Sequence, residues 1–308
     1  MNMLPKKVKI VEVGPRDGLQ NEHKFVPTDI KIEFINALSE AGLSVIETTS
    51  FVSPTWVPQM ADQNDIYSQI NKKPGVSYPA LVPNIKGLNA AIESGVSEIS
   101  VFTAASETFS QKNTNCSIEE SLSRIHAICE KALKNNIRVR GYISCVLGCP
   151  YEGKIAISKV QEIAQGLINF GCYEISLGDT IGVGTAGEAK NLIETLGKNI
   201  PIEKLAVHFH DTYGQALANI FACLELGIST IDSSAAGLGG CPYAPGAGGN
   251  VATEDVIYLL NGLNIETGVD LNQLINASTN VLKFLGHSTR SKTAEAILAR
   301  GTAAEQPA

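Results

Sequence analysis

The sequence contains no apolar run longer than a β-strand, far short of the roughly 20 residues that span a bilayer, so a membrane role is not expected. It has no excess of positive charge either. With 24 Lys and Arg against 31 Asp and Glu, its formal net charge is -7, which makes nucleic acid a poor partner. Cysteine is present but scattered: residues 116, 129, 145, 149, 172, 223 and 241 lack the close spacing of a zinc cluster or a disulfide-stapled domain. Free thiols in a reducing cytosol are the expectation. The opening MNMLPKKVKIVEVG has neither an apolar signal core nor an Arg-rich amphipathic presequence, which points to a cytoplasmic protein. No linker rich in Pro, Ser or charge divides the chain, so residues 1–308 are expected to form one catalytic domain.

What the sequence does have is alternation. Eight short β-branched runs recur, at 8–14, 45–50, 77–82, 98–104, 139–144, 174–180, 205–211 and 230–237. Amphipathic stretches of helical spacing lie between them, among them 30–42, 118–136, 158–171 and 213–227, several ending in glycine. Eight β/α units in about 250 residues predict a closed parallel (β/α)8 TIM barrel, an α/β fold, rather than an open doubly wound sheet. The barrel is expected over about 8–264, with helical additions over about 265–300 that include the helix-like stretch 270–286.

In such a barrel the reacting groups sit at the C-terminal strand ends and in the loops that follow. Arg16 and Asp17 end the first run, Glu47 lies near the end of the second, Asp179 ends the sixth, and His208 and His210 end the seventh. Cys241 and Asn250 follow the eighth. Residues two apart in a strand project to the same side, so His208 and His210 can share a cation, with Asp17 and Asn250 as oxygen ligands. This mixed nitrogen and oxygen set suits Mg, Mn or a similar divalent ion. Taken singly, each residue has a plainer reading: a polar HxH at a rim, an Asx turn at Asp17, a structural ion pair at Arg16. The segment 237–250 holds six glycines in 14 residues, more freedom than a plain connection needs. It reads as a lid that carries Cys241 in as an acid or nucleophile. Its glycines lack the spacing of the P-loop or the GxGxxG turn.

The segments EVGPRDGLQNE, SVIETTSFVSPTWVPQMAD, NCSIEESL, RGYISCVLGCPYEGK, CYEISLGDTIGVGT, AVHFHDTYGQALAN and AAGLGGCPYAPGAGGNVATED together resemble the 3-hydroxy-3-methylglutaryl-CoA lyase family over about residues 10–290. The resemblance implies a TIM barrel that cleaves a CoA thioester, hydroxymethylglutaryl-CoA, to acetyl-CoA and acetoacetate with a divalent cation, usually Mg or Mn. It implies metal ligands at Asp17, His208, His210 and Asn250, a catalytic cysteine at Cys241, an acyl-binding and catalytic arginine at Arg16, and further active-site acids at Glu47 and Asp179. The family's mitochondrial members carry a presequence, so this chain resembles a bacterial cytoplasmic form. The expected partner is a small acyl-CoA, with self-association as a homodimer or higher homo-oligomer left open. The alternatives are a lyase for a longer branched 3-hydroxyglutaryl-CoA, a related barrel aldolase or acyl-CoA condensing enzyme, and a binding barrel without turnover. The condensing relatives usually resemble a TLRDG motif where this chain has GPRDGLQNE.

Overall fold

The computed structural model describes residues 4–240 and 248–304. The β-branched runs form parallel strands: β1 (Lys9–Glu12), β2 (Val45–Ile46), β3 (Thr49–Ser50), β4 (Ala80–Leu81), β5 (Glu98–Ala104), β6 (Arg138–Ser144), β7 (Glu174–Asp179), β8 (Leu205–Phe209) and β9 (Thr230–Ser233). Their order is β2-β1-β9-β8-β7-β6-β5-β4-β3. The two outermost strands are halves of one segment, 45–50. β2 pairs with β1 through Val11↔Val45, and β3 pairs with β4 through Thr49↔Ala80. The segment therefore joins both edges and closes the sheet into an eight-membered barrel, as the alternation predicts. Its regular ladder breaks at Glu47 and Thr48, whose N–H groups go to opposite neighbours, Glu12 O at 2.8 Å and Pro79 O at 3.0 Å. Pro79 has no N–H to return, so the ladder is thinnest there.

The helices are α1 (Thr28–Glu40), α2 (Gln63–Gln69), α3 (Ile85–Glu93), α4 (Glu107–Thr114), α5 (Ile118–Lys134), α6 (Ile157–Asn169), α7 (Ala186–Leu196), α8 (Ala216–Leu224), α9 (Thr253–Gly262), α10 (Leu271–Ala277), α11 (Thr279–Leu285) and α12 (Lys292–Ala304). Local chemistry sets several of their ends. α5 begins at a capping box in which Ser117 accepts from Glu120 N and Glu120 accepts from Ser117 N. The stretch 270–286 is two helices, not one: the chain breaks at Ser278, whose hydroxyl bonds back to Ile275 O at 3.1 Å. Among the described residues no helix is long and apolar enough to cross a membrane.

Strand alternation sorts the side chains into two environments. Ile99, Val101, Val139, Ile143, Ile175, Leu177, Val207 and Ile231 are buried in the hydrophobic core, where each contributes roughly 1.5–3 kcal/mol of transfer free energy. The alternate positions face the barrel axis and are unusually polar. Arg140, Tyr142, Glu174, Ser176, His208 and Asp232 occupy matched register positions on β6 to β9, and this interior column ends at the C-terminal mouth.

Candidate metal and active site

The chain leaves β1 through a wide turn, Gly14–Gly18, in which the N–H groups of Arg16, Asp17 and Gly18 all point at Val13 O, at 3.2, 2.7 and 3.1 Å. Pro15 supplies a fixed φ at the start of this turn. Gly18 lets it nest against the following loops, since a Cβ there would lie 2.8 Å from Ser234 Oγ and 2.9 Å from Leu238 Cβ. Such single wide turns cluster at functional positions, and this one sets Arg16 and Asp17 side by side at the mouth.

Arg16 is held from two sides. Its Nε donates to Glu47 Oε2 at 2.5 Å and its terminal nitrogen to Asp17 Oδ1 at 2.6 Å. Glu47 stands two places beyond Val45, which pairs with Val11, itself in register with the inward Asp232, so strand alternation turns it to the axis. The guanidinium carbon also lies 5.6 Å from the ring centre of Tyr142. With both carboxylates against it, Arg16 stays charged despite being buried.

His208 lies in register with Asp232 on β9. Its Nδ1 is 3.3 Å from Asp232 Oδ2, and its Nε2 is 4.0 Å from Asp17 Oδ2. His210 stands just past the end of β8, in an isolated antiparallel bridge with Asn250, and the next residue is tied by Asp211 N to Gly249 O at 3.0 Å. This bridge carries Asn250 back to the mouth, where its Nδ2 donates to Asp17 Oδ2 at 2.8 Å and to Leu238 O at 3.2 Å. Gly239 makes room for that amide: its φ is +116°, and a Cβ would sit 2.7 Å from Asn250 Nδ2.

Asp17, His208 and His210 each offer a ligand atom, and these atoms lie within 4.8 Å of one another. The fit to a divalent cation rests on more than proximity. His210 Nδ1 is buried with no hydrogen-bond partner, a costly state for an imidazole nitrogen unless something else binds there. Asn250 can add an oxygen by turning its amide, which the bond to Asp17 now holds with nitrogen inward. Burial would raise the Asp17 carboxyl, but Arg16, the two histidines and the Asn250 amide outweigh it and draw it down to about 2. Burial, with His208 close by, pushes His210 down to about 4, against the weaker pull of Asp17. The result is an ionised carboxylate beside a neutral imidazole.

Two further buried polar atoms at this mouth have no partner: Glu47 Oε1 and the Tyr142 hydroxyl. Burial and then Glu47 push the Tyr142 phenol well above its usual range, so it remains a donor. Its ring meets His208 edge-on at 6.0 Å. Three orphaned polar atoms on facing elements define a place for a polar ligand.

Asp179 does not join this cluster. It is in register with Phe209 rather than His208, one step out of phase with the inward row, and its carboxylate accepts from Gly184 N at 2.8 Å and Val183 N at 3.3 Å. It ties down the loop after β7. Cys241 lies outside the described residues. The other six cysteines are buried. Sequence reasoning passed over Tyr142, Arg140 and Asp232. Their signal was a charged or polar residue at every second place in strands otherwise built of Val and Ile, which in a barrel means the axis.

The model of the HMGL-like family matches residues 7–281. The chain is 60% identical over 293 residues to the cytoplasmic 3-hydroxy-3-methylglutaryl-CoA lyase of Rattus norvegicus, covering 95% of this chain and 85% of that protein. It is 59% identical over 292 residues to the mitochondrial hydroxymethylglutaryl-CoA lyase of Gallus gallus, covering 95% and 98%. Relatives of both compartments thus match at nearly the same identity. Among solved structures it superposes on the hydroxymethylglutaryl-CoA lyase from Pseudomonas aeruginosa with a TM-score of 0.95 at 59% identity, covering 97% of this chain and 100% of that one. An HMG-CoA lyase from Acinetobacter baumannii in complex with coenzyme A and 3-methylmalate superposes with a TM-score of 0.91 at 36% identity, covering 96% and 97%.

Proposed function

This chain belongs to the HMGL-like family, and from that premise and the geometry of the mouth we propose how it acts. It is a carbon–carbon lyase that cleaves 3-hydroxy-3-methylglutaryl-CoA to acetyl-CoA and acetoacetate. The observation that carries the proposed site is the meeting of Asp17, His208 and His210 beside a buried, doubly anchored Arg16.

In this reading Asp17, His208, His210 and, after its amide turns, Asn250 would hold the divalent ion, with Mg and Mn suited to this mixed nitrogen and oxygen set. When bound, the ion supplies Lewis acidity toward the substrate's oxygens. The remaining work belongs to side chains. Breaking the C2–C3 bond requires loss of the proton on the tertiary 3-hydroxyl; the oxygen's electrons form the ketone of acetoacetate, and the bond pair leaves with C2 as the thioester enolate. Asp17 is the group placed to accept that proton; His208, with Nδ1 against Asp232 and Nε2 given to the ion, has no lone pair left for it. Arg16 faces the enolate oxygen, where a permanently charged donor counts most in the transition state. Glu47 holds Arg16 by Nε, so the guanidinium need not reorganise as charge develops. The Tyr142 hydroxyl and Glu47 Oε1 are free for the substrate's own polar groups. Cys241 returns a proton to C2, completing acetyl-CoA.

The test is stoichiometric. The purified, metal-supplied protein is expected to release acetyl-CoA and acetoacetate in equal amounts from hydroxymethylglutaryl-CoA. A folded, metal-loaded protein that forms neither would overturn the assignment.

A further inference from the structure

We propose that Asp232 is the positioning residue of the metal site: clamped by Arg140, it fixes His208 with its proton on Nδ1 and its Nε2 lone pair turned to the mouth. The inference rests on the proposed metal site and adds what prepares it.

Asp232 is wholly enclosed, with 1% of its surface exposed, and Arg140, Ser176 and His208 converge on its carboxylate. Arg140 grips it in a two-point fork, NH2 to Oδ1 at 2.7 Å and NH1 to Oδ2 at 2.9 Å, and Ser176 Oγ donates to Oδ2 at 2.7 Å. Arg140 is itself immobile. It has no exposed surface, and its Nε donates to Glu174 Oε1 at 2.7 Å. Glu174 is held in turn by Lys9 Nζ at 2.7 Å and Thr230 Oγ1 at 3.1 Å. The chain of ions thus runs up the barrel axis from Lys9 and stops at one face of His208.

That arrangement dictates a tautomer. A carboxylate paired with a guanidinium can only accept, so the ring nitrogen facing it at 3.3 Å must carry hydrogen. The proton cannot also be on Nε2 in a neutral imidazole. Nε2, on the side of Asp17, is left as the lone pair a cation needs. His210 supplies the contrast, because its buried Nδ1 has no partner and nothing of this kind fixes its proton. The two histidines of one site are prepared differently.

Two measurements test this. Nitrogen-15 NMR of histidine-labelled, metal-free protein is expected to show His208 protonated on Nδ1; protonation on Nε2 would overturn the proposal without any variant having to fold. The second is Mn binding to metal-depleted protein, followed calorimetrically. Asp232→Asn is expected to weaken binding by about 10- to 100-fold, the range for losing a carboxylate behind a metal-bound histidine, and to cause no further loss in a His208→Ala background. Ser176→Ala, which removes one donor from the same oxygen, is the milder variant and is expected to weaken binding less. Unchanged affinity in Asp232→Asn, or the same loss with and without His208, would refute the positioning role while leaving the metal site standing. A wild-type protein that binds no Mn would instead sink the metal site itself.

Discussion

The two ends of the barrel axis are both lined with buried charge, and they differ in whether that charge is satisfied. At the N-terminal end Glu98 accepts from Ser77, Arg138 and Tyr173, and Glu174 accepts from Lys9, Arg140 and Thr230. At the C-terminal end Glu47 Oε1, Tyr142 OH and His210 Nδ1 have nothing. Three neutral side-chain atoms elsewhere among the described residues are also without a partner, Ser100 Oγ, Asn219 Oδ1 and Ser234 Oγ. A closed network adds specificity and rigidity to a fold. An open one is stable only because the fold around it over-determines it, and it is what a ligand can complete. Charge in a barrel therefore does not mark a site; unmet charge does.

The largest expected effect of attacking the open end is at Asp17. Asp17→Ala should weaken Mn binding by more than about 100-fold, beyond the range for residues that act through a ligand, and remove turnover with it. Calorimetry alongside a product assay checks both. Cys241→Ala should separate these readouts: kcat falls by about 10²- to 10⁴-fold, the usual contribution of a positioned acid, while Mn affinity and melting temperature hold. Full activity in that variant would remove the proposed acid.

A pair of tyrosines tests the comparison head on. Tyr142→Phe deletes a hydroxyl that bonds nothing in the protein, so stability should hold while kcat/KM drops roughly tenfold, equivalent to about 1.4 kcal/mol. Tyr173→Phe, at the opposite end, deletes a donor to Glu98 at 2.5 Å and should cost about 1–2 kcal/mol of stability with kinetics intact. Should both variants behave alike, in either sense, the distinction between the two ends fails.

The smallest effect concerns pH. Glu254, at the start of α9, accepts from Ala236 N through both oxygens at 2.9 Å, and burial pushes its carboxyl up to about 8 from an ordinary 4.5. The folded state therefore holds this proton more tightly than the unfolded chain, and its contribution to stability is fully present below about pH 4.5 and lost as pH rises through about 8. Glu254→Gln should flatten that decline in urea unfolding at pH 5, 7 and 8. An unchanged slope would mean another group carries it.

Much of this was legible in the sequence because two periodicities carried it. Alternating β-branched runs and 3.6-residue stretches give eight strand segments and a closed barrel, and an HxH pair at a strand end must face one way. The interrupted second strand was not legible, because it depends on Pro79 lying opposite. Ending a strand does not say which face a residue such as Asp179 occupies, and register with Phe209 puts it out of phase with His208. The ion column was missed because Arg140, Glu174 and Asp232 are far apart in sequence and meet only on the axis. The role of Cys241 is a proposal, since that residue lies outside those described.

The most direct test of the account is metal dependence. Chelated protein should form no acetoacetate from hydroxymethylglutaryl-CoA, and Mg or Mn should restore it. Undiminished product from thoroughly chelated protein would contradict the central claim that the open end of the barrel works by holding a divalent ion.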